Sequence, residues 1–354
     1  MPVATPLPNR RAFLATAGAG LSALPAFPAW PQTREALKAI NPTRSGSSWP
    51  MWLAAEQGYF KKYDLDVTPT FGVHPVGIAG LIGGEIQFTN YSLDDVAAAA
   101  SRDPVLVVIG SILHRASFAL MARAEFQRVE DLKGKRIGVG RVGDPPYHYT
   151  VGLFRDYGLK ASDIQWVPTG ADASARVTML LSGQMDASLI TPPAYYRLET
   201  QGLKPLTLLQ DHPSIVITVG NTYKKSWIAA HPDVPERVLR AQGEAVHRFY
   251  SDKAASVAAY RKYDPGISEA DCARAYDDTA RVELLDRVPL IQKAAGGAVV
   301  ERIGADIPAV KTFDFSQMID NRPVRKLIAE GFFEKLYGPG IKAEQDRKIA
   351  VAFP

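Results

Sequence analysis

Residues 49–67 constrain the fold of this chain most strongly, because they join a short helix to a strand through a glycine. Their sequence is WPMWLAAEQGYFKKYDLDV. Leu53 and Phe60 are placed to face a core from a helix, and Gly58 suits the left-handed turn found near helix ends. Residues 65–67 then restart the chain as a strand. The segment therefore predicts a helix, a glycine turn and a strand in succession, as in an α/β fold.

Apolar runs alternate with helical patterns along the rest of the chain. Residues 105–109 and 136–139 have the composition of buried strands, and residues 149–157 and 175–182 have helical spacing. This alternation predicts an α/β fold with mainly parallel sheets. At 354 residues, with 46% hydrophobic content, the chain is long enough for two lobes.

The sequence contains a weak internal repeat, which bears on the number of lobes. Residues 81–90 (LIGGEIQFTN) and residues 180–189 (LLSGQMDASL) each contain a helix end, a glycine turn and a short strand that leads into a polar loop. Either each lobe contains one copy of this unit, or two βα units are similar by chance. The repeat alone does not distinguish the two interpretations.

Two segments resemble one family of solute-binding proteins, the nitrate, sulfonate, taurine and thiamine-pyrimidine type. Residues 49–67 resemble its opening segment, and DLKGK at residues 131–135 resembles the start of its second lobe. The resemblance extends over residues 39–226, with a looser helical remainder to residue 337. It implies a two-lobed periplasmic-binding-protein fold of type II, with mainly parallel sheets flanked by helices and a helical C-terminal part.

The resemblance also implies a lobe organisation and a role. Lobe 1 is expected to comprise residues 30–120 plus 218–345, and lobe 2 residues 121–217. Strand-like runs at residues 117–121 and 215–219 are expected to carry the chain between lobes, with the hinge near residues 114–122 and 215–224. Members of this family capture a small molecule outside the cytoplasmic membrane and deliver it to an ABC importer. We therefore expect a monomeric carrier with an inner-membrane permease as its partner, no catalysis and no cofactor.

The amino terminus has the composition of an export signal. Residues 9–14 read NRRAFL, and the apolar run that follows to Phe27 contains no charge. Paired arginines before Phe-Leu resemble the twin-arginine signal, and the run is shorter than the roughly 20 residues of a membrane span. The pattern predicts a signal peptide over residues 1–29 and a periplasmic mature protein. A basic, alanine-rich extension is the alternative.

Charge and cysteine content argue against several classes of function. The chain has 41 Lys plus Arg against 37 Asp plus Glu, a formal charge of +4. The sequence lacks a basic block with interleaved aromatic residues, so it gives no indication of nucleic-acid binding. A single cysteine, Cys272, excludes an intramolecular disulfide and a thiolate metal cage. No cysteine lies in the signal region for lipid attachment.

Four loops are candidates for ligand contact, because ligands of open α/β sheets bind beyond the carboxyl ends of the strands. These are residues 44–49, 89–92, 141–149 and 190–196. The candidate ligand-binding residues, two of which lie near the first crossing between lobes, are Ser48, Trp49, Asn90, Tyr91, His114, Arg115, Gly143, Asp144, Tyr147, Thr191 and Tyr195.

These residue types favour an organic anion as the ligand. The ring of Trp49 can stack on a flat body, and the amide of Asn90 can orient a polar group. His114, Arg115 and the neighbouring loop arginines Arg44 and Arg141 can neutralise a carboxylate or a sulfonate. An aromatic or organic anion is therefore expected ahead of the thiamine pyrimidine and nitrate. A purely structural role remains the alternative for each residue.

The motif G-x-G-x-x-G from Gly138 to Gly143 is not expected to bind a dinucleotide. The next predicted strand, residues 164–167, ends in Pro168 and Thr169 instead of the acid that such a site requires. Pro145 and Pro146 also occupy the start of the helix. A turn that presents backbone amides is the simpler interpretation.

An enzyme on the same fold is the alternative to a carrier. Aromatic sulfinate desulfinases of this family depend on a cleft cysteine with His and Arg, but the corresponding loop here contains serine and glycine at residues 45–48. Pyrimidine synthases of the family contain a cysteine-rich segment that this chain lacks. A periplasmic sensor subunit is a third possibility. The C-terminal third, from Pro235 on, has helical spacing without clustered reactive groups and is interpreted as scaffold.

Overall fold

The computed structural model describes Met1 and residues 34–41, 44–72, 74–113, 115, 117–170, 173–212 and 219–354. The predicted signal segment, residues 1–29, therefore lies outside the described residues except for Met1. The same holds for His114 and for residues 215–218 of the second predicted crossing run.

The described part of the chain contains strands that form two sheets. They are β1 (Glu35–Asn41), β2 (Leu65–Phe71), β3 (Phe88–Ser92), β4 (Leu106–Leu113), β5 (Ala119–Ala122), β6 (Arg136–Val139), β7 (Gln165–Pro168), β8 (Ala187–Ile190), β9 (Lys204–Leu208) and β10 (Val219–Lys224).

Helices flank both sheets and make up most of the C-terminal third. They are α1 (Trp49–Glu56), α2 (Tyr59–Lys62), α3 (His74–Gly83), α4 (Leu93–Ala100), α5 (Pro145–Asp156), α6 (Ala173–Leu181), α7 (Tyr196–Glu199), α8 (Lys225–Ala230), α9 (Val234–Ser251), α10 (Lys253–Tyr263), α11 (Glu269–Arg281), α12 (Ala294–Ile303), α13 (Arg322–Ala329), α14 (Phe332–Tyr337) and α15 (Lys342–Val351).

The two sheets have the same topology. The first sheet has the order β2-β1-β3-β10-β4 and the second the order β7-β6-β8-β5-β9. In the first, β1 is parallel to β2 and β3, and β10 is antiparallel to β3 and β4. In the second, β6 is parallel to β7 and β8, and β5 is antiparallel to β8 and β9. One strand of each described sheet therefore runs against the other four, which confirms the prediction of mainly parallel sheets.

The antiparallel strands lie next to the two crossings of the chain between the sheets. The first crossing runs from β4 to β5, and the second runs from β9 to β10. The strand predicted at residues 117–121 corresponds to β5, which begins at Ala119. The other described antiparallel strand, β10, begins at Val219 and so overlaps only the last residue of the predicted run 215–219.

Local sequence explains where several elements begin and end. Gly58 has φ +71° between α1 and α2, a conformation that glycine adopts without steric cost. Pro145 and Pro235 lie in the first turns of α5 and α9, where a missing N–H group leaves no intrahelical bond unmade. The predicted glycine turn and the proline-led helix starts are thus confirmed.

The glycine motif at residues 138–143 has a packing explanation. Gly138 lies in β6, where a Cβ atom would clash with Sδ of Met185, and Gly143 has the left-handed φ of +86°. Pro145 and Pro146 open α5 directly after this turn. The glycines therefore allow close packing and a tight turn, of which only the turn was expected from the sequence.

The cores of the two sheets are built from aliphatic strand residues covered by helices. Leu37, Phe88 and Ile109 of the first sheet are almost fully buried. Leu120 and Leu189 of the second are buried as well. Among the described residues, no helix has both the length and the apolar character needed to cross a membrane.

Candidate functional site

A cavity of about 550 Å³ lies where loops of both sheets meet, and we call it the arginine chamber. Four arginines line it, together with two phenylalanines, three aspartates and small or polar residues. The lining side chains used below are Arg44, Phe71, Phe118, Arg141, Asp144, Arg176, Thr191, Arg197, Asp264, Ile267, Ser268 and Asp271.

The four arginines come from different elements. Arg44 follows β1, and its guanidinium carbon lies 4.5 Å from the ring centre of Phe71. Arg141 follows β6 and is exposed, whereas Arg176 of α6 is only 5% exposed. Arg197 belongs to α7 and is exposed. Positive charge therefore surrounds the cavity from both sheets.

The aspartates in the arginine chamber are engaged by neighbouring polar groups. Asp144 accepts hydrogen bonds from the backbone N–H groups of Tyr147 (2.8 Å) and Arg141 (3.0 Å). Asp271 accepts one from the hydroxyl of Ser268 at 2.8 Å. The carboxylate of Asp144 thus caps α5, whereas α11 is capped by the side chain of Ser268, and the arginines remain the groups suited to bind an anion.

A smaller cavity of about 90 Å³ adjoins the first, and we call it the hydroxyl chamber. The two share Phe118, Pro145, Pro146 and Thr191 as lining residues. None of the described lining residues of the hydroxyl chamber is charged. Its hydroxyl-bearing residues are Ser45, Ser47, Ser92, Ser117, Tyr149, Thr191 and Thr279.

Hydrogen bonds connect the walls of the hydroxyl chamber. The hydroxyls of Ser92, at the end of β3, and Tyr149, in α5, lie 2.8 Å apart, so the first sheet contacts a helix that flanks the second. Ser45 and Ser47 are linked by a 3.1 Å contact between their hydroxyl oxygens. Residues from β3, from α5 and from the turn before α1 thus present polar side chains to one small space.

The structure places Asn90 in the wall of the hydroxyl chamber, where it is only 2% exposed. Its Nδ2 donates to Oδ1 of Asn221, and Asn221 and Gln242 exchange two further amide hydrogen bonds of 2.7 and 3.0 Å. The Oδ1 atom of Asn90 makes no hydrogen bond in the structure. Asn90 is therefore oriented by the core and keeps one buried acceptor.

Trp49 does not lie in either chamber, which argues against the predicted stacking on a ligand. Its ring is fully buried, with Phe249 and Tyr260 at centroid distances of 5.1 and 4.8 Å, and its Nε1 donates to the carbonyl of Ser256. Ser48 is buried too and its side chain does not cap α1. Trp49 and Ser48 are therefore part of the core around α1.

Tyr91 also occupies the core. It is fully buried, and its phenol donates to the carbonyl of Gly72 at 3.2 Å. A Cβ atom at Gly77 would clash with this phenol, so glycine makes room for it. Side chains alternate along a strand, and Tyr91 therefore points away from the face that Asn90 occupies. Its predicted ligand contact conflicts with this placement.

Arg115 lies away from both chambers. Its guanidinium donates to the carbonyl of Val282 at 3.0 Å, and it lines a separate polar pocket beside α15. His114, the other residue predicted near the hinge, lies outside the described residues.

The loop before α5 contributes to the arginine chamber through Asp144. Gly143 is exposed, and its carbonyl accepts a hydrogen bond from Nε2 of His148 at 3.1 Å. Tyr147 packs edge-on against Trp166, with the ring centres 4.7 Å apart, and lines neither chamber. Of the three residues predicted here, only Asp144 reaches the cavity.

Thr191 is the predicted residue that lines both chambers. It does not cap a helix, because α7 begins only at Tyr196. Tyr195 is 5% exposed and packs edge-on against Tyr196, so its neighbours Ala194 and Arg197 face the cavity instead.

Several lining residues were missed from the sequence. Phe71, Phe118, Arg176 and Arg197 were not among the candidates, and the loop at residues 264–271 belongs to the part interpreted as scaffold. That loop contains Asp-Pro-Gly followed by a serine N-cap. These residues predict a turn, but they do not predict that the turn lies beside a cavity.

Two titratable groups near the chambers have shifted pKa values. Burial raises the pKa of Asp95 in α4 to about 8, and the nearby charges of Asp94 and Asp144 add to this effect. Burial lowers the pKa of His148. At neutral pH these groups therefore favour their neutral forms.

Reactive side chains are scarce in the site. Cys272 is buried, its sulfur contacts the carbonyl of Val257, and burial raises its pKa to about 12. Neither Cys272 nor any histidine is among the described residues that line the chambers. The described part of the chain also contains no cluster of His, Cys, Asp and Glu suited to a metal ion.

Residues 46–253 match the family described as NMT1/THI5 like, which is more than half of the chain. The chain belongs to the NMT1/THI5-like family. The match includes the loops after β3, β6 and β8, and thus much of both chambers.

Among curated proteins similar in sequence is a candidate binding protein of Brucella abortus. It is 28% identical over 249 residues, which are 67% of this chain and 73% of that protein. A 4,5-dihydroxyphthalate decarboxylase of Comamonas testosteroni is 31% identical over 116 residues, or 31% of this chain and 34% of the enzyme. Proteins similar to this NMT1/THI5-like chain thus include both binding proteins and enzymes.

The fold agrees with solved binding proteins. The periplasmic aliphatic sulphonate binding protein SsuA of Escherichia coli superposes with a TM-score of 0.65 at 19% identity, covering 81% of this chain and 92% of that chain. This likeness confirms the predicted periplasmic-binding-protein fold with two sheets flanked by helices.

Proposed function

We propose that this chain is the substrate-binding component of an ABC importer and captures a small organic anion, such as an aromatic carboxylate or a sulfonate. The observation that carries the proposal is the arginine chamber, where four arginines from four separate segments surround one cavity. No covalent step is involved.

The chamber has the size and chemistry for such a ligand. Its volume of about 550 Å³ lies within the roughly 300–1,000 Å³ of small-molecule sites. Guanidinium groups bind planar oxyanions through paired hydrogen bonds, and Phe71 and Phe118 offer rings for a flat or apolar body. An ion as small as nitrate would leave most of this volume unfilled.

Capture would occur between two lobes, residues 30–120 with 218–345 and residues 121–217, hinged near residues 114–122 and 215–224. A ligand that touches Arg44 in the first lobe and Arg141 in the second would stabilise the closed arrangement, because it binds that arrangement more tightly. Support comes from the lining of the arginine chamber, to which both groups of residues contribute.

The export route, the periplasmic location, the monomeric state and the permease partner belong to the same proposal. The paired Arg10 and Arg11 support twin-arginine export. Replacing both by lysine should leave the protein in the cytoplasmic fraction, and unchanged recovery from the periplasm would contradict this route.

A thermal-shift screen of the mature protein tests the function. The ligand set comprises aromatic carboxylates, alkyl and aryl sulfonates, taurine, nitrate and pyrimidines. A ligand that binds only the folded state raises the melting temperature. We expect aromatic carboxylates or sulfonates to raise it most and to be recovered chemically unchanged by mass spectrometry.

Two results would contradict the proposal. Consumption of a bound compound would identify an enzyme, the alternative that the decarboxylase relative represents. Stabilisation by nitrate or pyrimidines alone would reject an organic anion as the ligand. A desulfinase-like mechanism would in addition require a cysteine in the cleft, whereas Cys272 is buried elsewhere.

A further inference from the structure

The two chambers differ sharply in charge although they share walls. Four described arginines line the arginine chamber, whereas the described residues around the hydroxyl chamber are uncharged. Phe118, Pro145, Pro146 and Thr191 border both spaces, so one molecule can extend from one into the other. Such a molecule would meet cations at one end and hydroxyl and amide groups at the other.

At the starts of α4 and α5, one backbone N–H group each is already bonded to a side chain of the chain itself. The side chain of Ser92 accepts from the N–H group of Asp94 at the start of α4. The carboxylate of Asp144 accepts from the N–H group of Tyr147 at the start of α5. The two helices that lead into this region are therefore capped by the chain itself, and the arginines remain the better partners for an anionic group.

The Oδ1 atom of Asn90 is suited to accept a hydrogen bond from a ligand. Its Nδ2 is committed to Asn221, and the reciprocal bonds between Asn221 and Gln242 fix the orientation of that partner. Oδ1 of Asn90 is thereby left as a buried acceptor without a donor. A buried acceptor without a partner is unfavourable, and it repels an anionic oxygen but accepts from a hydroxyl or amino group.

We propose that the ligand is an organic anion that also carries a neutral hydrogen-bond donor, with its anionic group in the arginine chamber and its hydroxyl or amino group beside Asn90 in the hydroxyl chamber. This orientation rests on the proposed function, since it specifies how the captured anion lies in the site. It makes Asn90 a specificity-determining residue that selects hydroxylated or amino-bearing anions over their unsubstituted parents.

Two matched ligand pairs test the orientation by calorimetry near neutral pH. They are 4-hydroxybenzoate with benzoate, and 4-hydroxybenzenesulfonate with benzenesulfonate. Wild-type protein should bind the hydroxylated member of at least one pair about tenfold more tightly. In Asn90→Ala this ratio should fall to about one, because the acceptor that favours the hydroxylated member is removed.

The outcomes separate the two proposals. Equal affinity for both members of each pair, or tighter binding of the parents, would overturn the orientation while leaving anion capture intact. An unchanged ratio in Asn90→Ala would overturn the role of Asn90. Failure of all four compounds to bind wild-type protein would count against capture of an aromatic anion itself. The wild-type comparison decides the orientation even if Asn90→Ala does not fold.

Discussion

Tyr196 donates a 2.8 Å hydrogen bond to Asp278 and thereby joins α7, which connects β8 and β9 of the second sheet, to α11 of the C-terminal helices. Arg274 of α11 adds an ion pair with Glu199 of α7 and lies 3.9 Å from the ring centre of Tyr196. Burial raises the pKa of Tyr196, so its phenol stays protonated. One wall of the arginine chamber is thus fastened to the C-terminal helices.

Tyr196→Phe should lower the free energy of unfolding by about 1.5–3 kcal/mol, because a hydrogen bond to a charged group is lost. Urea denaturation measures this change. Tyr337→Phe is the matched control, since it removes a longer 3.3 Å bond to a neutral carbonyl. Equal losses of unfolding free energy in the two variants would show that the bond to Asp278 stabilises the fold no more than a bond to a neutral carbonyl does.

Arg141→Gln should weaken binding of aromatic carboxylates and sulfonates about tenfold, or 1.4 kcal/mol, because a cation of the arginine chamber is removed. Arg141 is exposed, so the melting temperature of the ligand-free protein should hardly change. Calorimetry measures the affinity. The control is Arg347→Gln, because Arg347 is an exposed residue of α15 outside the chamber. An equal loss of affinity in this variant would indicate a general effect of charge.

Tyr91→Phe should lower the free energy of unfolding by about 0.5–1.5 kcal/mol while the affinity for organic anions stays the same. The reason is that the phenol bonds to the carbonyl of Gly72 inside the core. Denaturation and calorimetry on the same sample distinguish the two effects. Weaker binding with unaltered stability would restore the ligand contact that the sequence suggested.

Asp95 should make stability depend on pH. The pKa of an aspartate in the unfolded chain is about 4. Burial raises the pKa of Asp95 in the folded protein to about 8. Between these values the folded state binds a proton that the unfolded state has released. Stability contributed by this group therefore falls as pH rises from about 4 to about 8.

Asp95→Asn should flatten this pH dependence. The free energy of unfolding of the variant, relative to wild type, should be higher at about pH 8 than at about pH 5. Urea denaturation at the two pH values measures the difference. Parallel pH profiles of wild type and variant would show that Asp95 titrates normally.

Cys272 should be inert in the folded protein, because burial raises its pKa to about 12 and the thiolate is the reactive form. A thiol reagent such as Ellman's reagent should react only after denaturation, and Cys272→Ala should bind ligand as wild type does. Rapid labelling of native protein together with loss of binding would revive a cysteine-dependent activity.

Much of the architecture followed from local sequence. Gly58, Pro145 and Pro235 indicated where elements begin and end, because backbone conformation at glycine and proline depends little on distant residues. The strand at residues 136–139 has the bounds that its apolar pattern predicted. Alternation of such units was sufficient for an α/β fold with mainly parallel sheets.

The candidate site was predicted less well, because the same residue types serve both core and cleft. Trp49 and Tyr91 were candidates on their chemistry, yet the structure buries both rings. Asn90, Asp144 and Thr191 do line the chambers. Neighbours in sequence separate in space, since adjacent strand residues face opposite sides of a sheet.

The sequence by itself determined the element types, their order and the family, since these depend on local periodicity, turn residues and a recognisable pattern. Only the tertiary structure decided which side chains share a cavity. Arg44, Arg141, Arg176 and Arg197 are far apart in the chain, and they meet because two sheets of equal topology direct their loops to one space. Long-range packing, which no local pattern encodes, created the arginine chamber and left the buried acceptor of Asn90.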